Sequence, residues 1–96
     1  MSIWRTITEP YYALKNSLAE KRSRKVQMRV LRVLQADGGA LRDTQIAFIG
    51  DIDIEDVQRA LFALRDEYDP PRVETVLTDL RYLWRITDRG KSALKQ

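Results

Sequence analysis

The stretch from Asp43 to Asp69 constrains the fold more than any other part of this chain. Its second half has apolar residues three and four positions apart. At about 100° per residue, such positions share one face of a helix. They are Ile54, Val57, Ala60, Leu61, Leu64 and Tyr68. The first half supplies apolar residues that can meet this face, namely Ile46, Ala47 and Ile49. The pattern therefore predicts two helices packed against each other.

Residues that favour helix termini mark the ends of these two helices. Gly50 lies between the apolar sets, where a glycine with positive φ can end a helix. Asp43 is predicted to cap the first helix, and Asp53 the second, with Asp56 in the capping-box position. Helix, glycine turn and capped helix form the helix-turn-helix layout, whose second helix often enters the major groove of DNA.

Composition excludes several kinds of chemistry. The 96 residues include no cysteine and no histidine, which removes disulfides, most zinc sites and the usual general base at neutral pH. The sequence also lacks a nucleophile–base pair, a glycine-rich phosphate loop and a metal-binding cluster. We therefore predict no enzyme activity, no cofactor and no metal. We expect no signal peptide and no apolar run of the ~18 residues that a membrane span needs, which favours the cytoplasm.

Charge is separated into three sectors along the chain. Residues 1–35 carry a net charge of +6, residues 36–71 of −6 and residues 72–96 of +3. The modest total of +3 hides this separation, which limits where a nucleic acid can dock.

Two apolar stripes precede the central stretch. The first consists of Tyr11, Leu14 and Leu18. The second consists of Val26, Val30, Val33 and Leu34, with Leu31 at its edge. The stripes are out of phase on one straight helix, so either the helix breaks near 20–23 or the first stripe faces a different partner. Pro10 is expected in the first turn of the N-terminal helix.

The N-terminal arm, residues 1–22, has two interpretations. It folds back on its own domain, or it is a dimerisation element, because a chain this small has little room to bury a second apolar stripe internally. Residues 23–96 are predicted to form the main domain.

A run of basic residues lies in the same helical region, mostly opposite the valines. It contains no acidic residue after Glu20, so ion pairs along that face do not explain it. Contact with phosphate groups is the functional interpretation, and a solvated helix face is the structural one. The residues are Lys21, Arg22, Arg24, Lys25, Arg29 and Arg32.

The chain after Asp69 changes from a helical to an alternating pattern. Pro70 and Pro71 stop the preceding helix. Two strands are then predicted, joined by a turn at 78–81. One strand face holds Val73, Thr75 and Leu77, and a face of the next strand holds Tyr82, Trp84 and Ile86. Thr87 or Asp88 is expected to cap a short last helix, residues 89–95.

This order of elements resembles the winged-helix family, in particular small bacterial and archaeal regulators of the PadR-like and MarR-like kind. The resemblance covers roughly residues 24–94. It rests on the segments VLRVLQADGGAL from Val30, DVQRALFALRDE from Asp56 and WRITDRGKSAL from Trp84. It implies a mainly α, α+β fold with a three-helix core, a two-stranded wing and an extra N-terminal helix.

The resemblance also implies a DNA-binding protein acting as a dimer, in transcription or in the replication and maintenance of a small element. The recognition helix would span Ile54 to Tyr68 and contact bases through Gln58 and Arg59, because Gln pairs with adenine and Arg with guanine. The wing would offer Arg72, Arg81 and Arg85 to phosphate or the minor groove. The dimer contacts would come from Tyr11, Leu14 and Leu18.

The expected recognition helix departs from the family pattern at its N-terminal end. Four acids lie there: Asp51, Asp53, Glu55 and Asp56. Carboxylates stabilise a helix start, but they repel phosphates. Phe62 lies on the outward face, where it is a candidate for contact with a partner. The alternative function is therefore an adaptor that binds protein through the acidic third helix and Phe62.

Overall fold

The computed structural model describes the backbone of residues 2–95 and the side chains of residues 19–95. It contains four helices and one antiparallel hairpin, which confirms the predicted α+β class. The helices are α1 (Ser2–Asp37), α2 (Asp43–Gly50), α3 (Ile54–Asp66) and α4 (Asp88–Leu94). The strands are β1 (Val73–Thr78) and β2 (Arg81–Ile86).

The first helix is continuous, so the break considered near residues 20–23 does not occur. The expected extra N-terminal helix is instead the first half of α1, and Pro10 lies inside the helix rather than in its first turn. A 36-residue helix is about 54 Å long at 1.5 Å per residue. The longest dimension of the molecule is 57 Å, so α1 sets its length. The helix runs through the predicted boundary between residues 22 and 23, and that division stays a prediction.

The core forms where α1, α2, α3 and the base of the hairpin meet. Each large apolar side chain buried there contributes about 1.5–3 kcal/mol. The fully buried ones are Val30, Leu31, Leu34, Ile46, Val57, Leu61, Leu64 and Val73. The predicted edge position of Leu31 is therefore wrong.

Two residues predicted to face the core are exposed instead. Ile49 is 57% exposed and Ile54 is 37% exposed. In α2 the buried residues are Ile46 and Gly50, and in α3 burial begins at Val57. Ile49 and Ile54 lie at the edges of these faces, where no described element covers them fully.

Side-chain hydrogen bonds also connect α1 to Tyr68, which follows the end of α3. The Tyr68 hydroxyl donates to Oε1 of the buried Gln27 at 2.8 Å. The side-chain amide of Gln27 then donates to the Ser23 hydroxyl at 3.3 Å. Both ends of the amide are thereby satisfied, which a buried polar group requires.

The turn between α2 and α3 differs from the prediction. The residue with positive φ is Asp51 (φ 53°), and Gly50 is the last residue of α2. Gly50 is buried, and a Cβ there would lie 3.2 Å from Cγ2 of Val33. The absence of a side chain at Gly50 therefore permits close packing against Ile52 of the turn and Val33 of α1, while Asp51 takes the left-handed conformation that aspartate tolerates.

The helix caps agree with the prediction in part. Asp53 and Thr87 occupy the N-cap positions of α3 and α4. The Thr87 hydroxyl accepts from the Gly90 amide at 3.2 Å, but Asp53 makes no capping bond. The N-cap of α2 is Arg42 rather than Asp43, and the Gln45 side chain accepts from the Arg42 amide at 2.9 Å.

The hairpin has the predicted strands and a two-residue turn. Thr78 pairs with Arg81, and both Asp79 and Leu80 have positive φ, as a type I′ turn requires. Trp84 fastens the hairpin to the helices by exchanging two backbone hydrogen bonds with Leu41, at 2.9 and 2.7 Å. The wing is therefore held at its base and free at its tip.

The left-handed conformation of Asp51 leads to a stability prediction. We expect Asp51→Gly to raise the free energy of unfolding by about 0.5–1 kcal/mol, because glycine adopts positive φ without steric cost. Asp51→Ala should lower it. Urea unfolding of both variants measures these changes. A loss of stability in Asp51→Gly would contradict the placement of the left-handed residue at position 51.

Candidate nucleic-acid interface

The basic run forms an exposed face of α1. All six predicted residues of the run are exposed. Five of them lie on the side of the helix away from its buried residues Val30, Leu31 and Leu34, and Arg24 lies beside Leu31. The six residues are Lys21, Arg22, Arg24, Lys25, Arg29 and Arg32. A helix face with this many cations and no acid after Glu20 is suited to contact with a polyanion.

One edge of this face lines a groove between α1 and the start of α3, which we call the charged groove. Its main part has a volume of about 580 Å³, and its apolar lining residues are Ala19, Val26 and Ala60. Its basic rim consists of Arg22, Lys25, Arg29 and Arg59, and its acidic rim consists of Asp51, Asp53 and Asp56. Three of the four acids that depart from the family pattern therefore lie beside the basic helix, and Glu55 does not line the groove.

No close ion pair crosses the charged groove among residues 19–95. The pairs in this part of the chain lie within α3 or within the hairpin. Opposite charges that share a groove still attract at longer range and reduce the local positive potential. The positive surface of α1 is therefore strongest on its outer side and weakest towards α3.

The two predicted base-reading residues already have partners on the protein. The side-chain amide of Gln58 donates to Oδ2 of Asp43 at 3.0 Å, which ties α3 to the start of α2. Arg59 lies 3.6 Å from Glu55 and 3.7 Å from Asp56, within its own helix. The residues in these contacts are exposed, apart from the half-buried acids Asp43 and Asp56. Exposed pairs of this kind contribute at most about 1 kcal/mol to stability.

The predicted partner residue Phe62 belongs to a stack between α3 and the wing. Its ring meets the edge of the Trp84 ring at a centroid distance of 6.0 Å and stays 50% exposed. The Arg65 guanidinium lies 5.2 Å from the Phe62 centroid and 5.6 Å from that of Trp84. Sequence reasoning missed Arg65, because only the folded hairpin brings Trp84 beside it.

The predicted wing arginines lie in three different settings. Arg72 is at the base, with its guanidinium 3.8 Å from the centroid of the Tyr68 ring. Arg85 donates to Glu74 across the hairpin at 2.7 Å. Arg81 is exposed at the start of β2, next to the tip.

The fold therefore brings only part of the predicted set together. Arg22, Lys25, Arg29 and Arg59 share the charged groove, whereas none of the wing arginines lines it. The segment from Asp51 to Glu67 carries a net charge of −4. The predicted dimer residues Tyr11, Leu14 and Leu18 are in the backbone of α1, but their side chains lie outside the described residues.

The part of the chain that the structure describes contains no group of three or more carboxylates arranged to hold a metal ion. No described helix has the length and apolar character that crossing a membrane requires.

Two solved structures are similar to nearly the whole chain. A MarR family transcriptional regulator from Silicibacter pomeroyi superposes with a TM-score of 0.64 and 24% identity over 97% of this chain. A MarR family protein from Bacillus stearothermophilus superposes with a TM-score of 0.58 and 18% identity over 95% of this chain. No protein-family model and no curated protein sequence matches.

The chain has the winged-helix fold of these MarR family proteins. In that fold α2 and α3 are the helix-turn-helix and the hairpin is the wing, as the sequence predicted. The chain spans 62% of the length of the Silicibacter pomeroyi protein and 70% of that of the Bacillus stearothermophilus protein. At 24% and 18% sequence identity, the similarity to these two proteins shows a shared fold.

The Arg65–Asp66 pair of the aromatic stack gives a pH-dependent prediction. Arg65 donates to both Asp66 oxygens, at 2.8 and 3.0 Å, and these bonds hold the pKa of the Asp66 carboxyl below its ordinary value. We expect Arg65→Met to raise the Asp66 pKa towards that ordinary value, measured by NMR titration of the carboxyl carbon.

The lowered pKa of the Asp66 carboxyl determines how the stability of the fold changes with pH. The contribution of the pair is present above the carboxyl pKa of the unfolded chain and is lost as the pH falls through the lower folded value. Arg59→Met is the matched control, because Arg59 contacts Glu55 and Asp56 but not Asp66. If the Asp66 pKa is the same in the parent chain, in Arg65→Met and in Arg59→Met, the role of Arg65 is contradicted.

Proposed function

We propose that this chain is a DNA-binding winged-helix transcriptional regulator that acts as a dimer in the cytoplasm. The observation that carries the proposal is the basic outer face of α1 on a winged-helix fold. Transcription is favoured over replication or maintenance because the similar Silicibacter pomeroyi protein is a MarR family transcriptional regulator.

In this proposal the phosphate contacts come mainly from α1. Its exposed lysines and arginines bind the backbone of duplex DNA, and Arg81 adds a contact from the wing. Gln58 and Arg59 reach base edges after exchanging their weak surface contacts for bonds to DNA. The acids at the start of α3 limit how deeply that end approaches the phosphates. Binding is expected to be strongly salt-dependent, because the phosphate contacts of α1 release counterions.

Charge reversal on α1 tests the proposal directly. We expect Lys25→Glu/Arg29→Glu to weaken binding to duplex DNA by at least about tenfold and to lower the log–log salt slope by about 2, one unit per lost phosphate contact. Fluorescence anisotropy at two salt concentrations measures both quantities.

The matched control makes the same change of charge on α4. Arg89 and Lys91 are both exposed there, and Arg89→Glu/Lys91→Glu is expected to change affinity much less. If the α1 variant binds as tightly as the parent chain, or if the two variants lose affinity equally, DNA contact through α1 is contradicted.

We further propose that the first half of α1 pairs with the same segment of a second copy. The support is the apolar stripe of Tyr11, Leu14 and Leu18. The stripe lies on α1, which spans nearly the whole longest dimension of the molecule. Pairing two such stripes removes apolar surface from water and gives the two-fold symmetry that DNA half-sites match.

Sedimentation analysis tests this pairing. We expect Leu14→Asp/Leu18→Asp to give a monomer, because four added carboxylates would face each other across the dimer contact. Ala13→Asp/Asn16→Asp adds the same charge on the opposite side of the helix and should leave the dimer intact. A dimer that persists in the first variant would rule out this contact.

An adaptor that binds protein through α3 is the second candidate. The net charge of −4 from Asp51 to Glu67 and the half-exposed Phe62 ring favour it. Strong binding to duplex DNA with a steep salt slope, unchanged in Phe62→Ala, would argue against the adaptor.

A further inference from the structure

The charged groove keeps cations and carboxylates on opposite rims. The α1 rim holds Arg22, Lys25 and Arg29, and the facing rim holds Asp51 and Asp53, just before α3. All five side chains are exposed. Among residues 19–95 none of the five takes part in an ion pair, so their charged atoms lie more than 4.0 Å apart across the groove. Opposite charges therefore face the same space without a direct contact between them.

The other two charged residues of the groove are engaged within α3. Arg59 lies 3.7 Å from Asp56 and 3.6 Å from Glu55. Asp53, in contrast, occupies the N-cap position of α3 but makes no capping bond with its side chain. The groups available to an occupant are therefore the three cations of α1 on one rim and the carboxylates of Asp51 and Asp53 on the other.

Apolar side chains line the space between the two rims. Val26 and Ile52 are half-buried, and Ala60 is buried. The volume of about 580 Å³ lies within the range of roughly 300–1,000 Å³ that is usual for small-molecule sites. An occupant with an apolar middle part would remove this lining from water.

The two rims together disfavour an occupant of a single charge. An anion held by the α1 cations would face Asp51 and Asp53, and a cation held by these acids would face the arginines. A neutral apolar molecule would remove charged groups on both rims from water without offering them a partner, which is costly. A second copy on a two-fold axis would place two identical concave surfaces opposite each other, and neither would fill the other.

We propose that the charged groove binds a small zwitterion whose carboxylate and ammonium groups lie at opposite ends of an apolar body. The carboxylate contacts Arg22 and its neighbours on α1, because a guanidinium can donate two parallel hydrogen bonds to it. The ammonium contacts Asp51 and Asp53, and the apolar body covers Val26 and Ala60. ω-Amino acids and short apolar peptides share this chemistry. Such binding does not require that the chain binds DNA.

A series of zwitterions tests the proposal with the full chain and without DNA. The probes are 4-aminobutanoate, 6-aminohexanoate, 8-aminooctanoate and the peptide trialanine. NMR titration of the backbone amides measures weak affinities and shows which residues respond. We expect saturable shifts at Val26 and Ala60 with at least one probe. Tighter binding of trialanine would identify a peptide as the ligand, and tighter binding of an aminoalkanoate would identify an ω-amino acid.

Single-charge analogues separate a zwitterion site from general adhesion. Hexanoate and hexylamine have an apolar body similar to that of 6-aminohexanoate, but each has only one of the two charges. We expect both to bind at least about tenfold more weakly than the best zwitterion. Glycine has both charges but no apolar body, and it should also bind more weakly.

One substitution on each rim tests the assignment of the charges. We expect Arg22→Gln and Asp53→Asn each to weaken binding of the best zwitterion by about three- to fivefold, as the loss of one exposed charge contact does. Asparagine is as good an N-cap as aspartate, so α3 should stay intact, which circular dichroism checks. The matched controls are Arg89→Gln and Asp88→Asn on α4, where both residues are exposed. They should leave the affinity unchanged.

Four results would overturn the proposal. They are no response to any of the four zwitterions, equal affinity for hexanoate or hexylamine, unchanged affinity in both groove variants, and equal losses in the α4 controls. Loss of self-association in Arg22→Gln, measured by sedimentation, would identify a second copy as the occupant and would also overturn it. DNA affinity is measured separately, so failure of DNA binding is distinguishable from failure of zwitterion binding.

Discussion

The packing of α1 against α3 is the contact on which the rest of the structure depends. Val30, Leu31 and Leu34 are fully buried there with Leu61 and Leu64, and each contributes more than an exposed ion pair can. Once the apolar side of α1 faces the core, its basic side has to face outwards. The core therefore decides where the cations lie, and it brings one edge of them beside the acids that begin α3.

This arrangement brings the first two charge sectors of the chain together in space. The outer side of α1 keeps its positive potential, while the charged groove holds cations and carboxylates together. A polyanion therefore finds a complementary surface on the outer side of α1 and carboxylates at the edge that faces α3.

Much of the fold could be predicted because its signals are local. The spacing of apolar residues in α3 and the alternation in the hairpin each repeat along a few turns or strand residues. Gly50 was misplaced because a glycine serves equally for positive φ and for close packing, and only the neighbouring helix distinguishes the two. The continuity of α1 was open because backbone hydrogen bonds continue through a change of apolar phase. Arg65 was missed because its contact with Trp84 joins distant parts of the sequence.

The uninterrupted backbone of α1 has a mechanical consequence. A long helix is stiff, so its two halves move as one rod rather than as an arm on a hinge. A tilt imposed near Leu14 would be carried to Arg29 and from there to the rim of the charged groove. A movement of the N-terminal half of α1 therefore changes the orientation of the cationic surface. The packing of the core does not have to change for this.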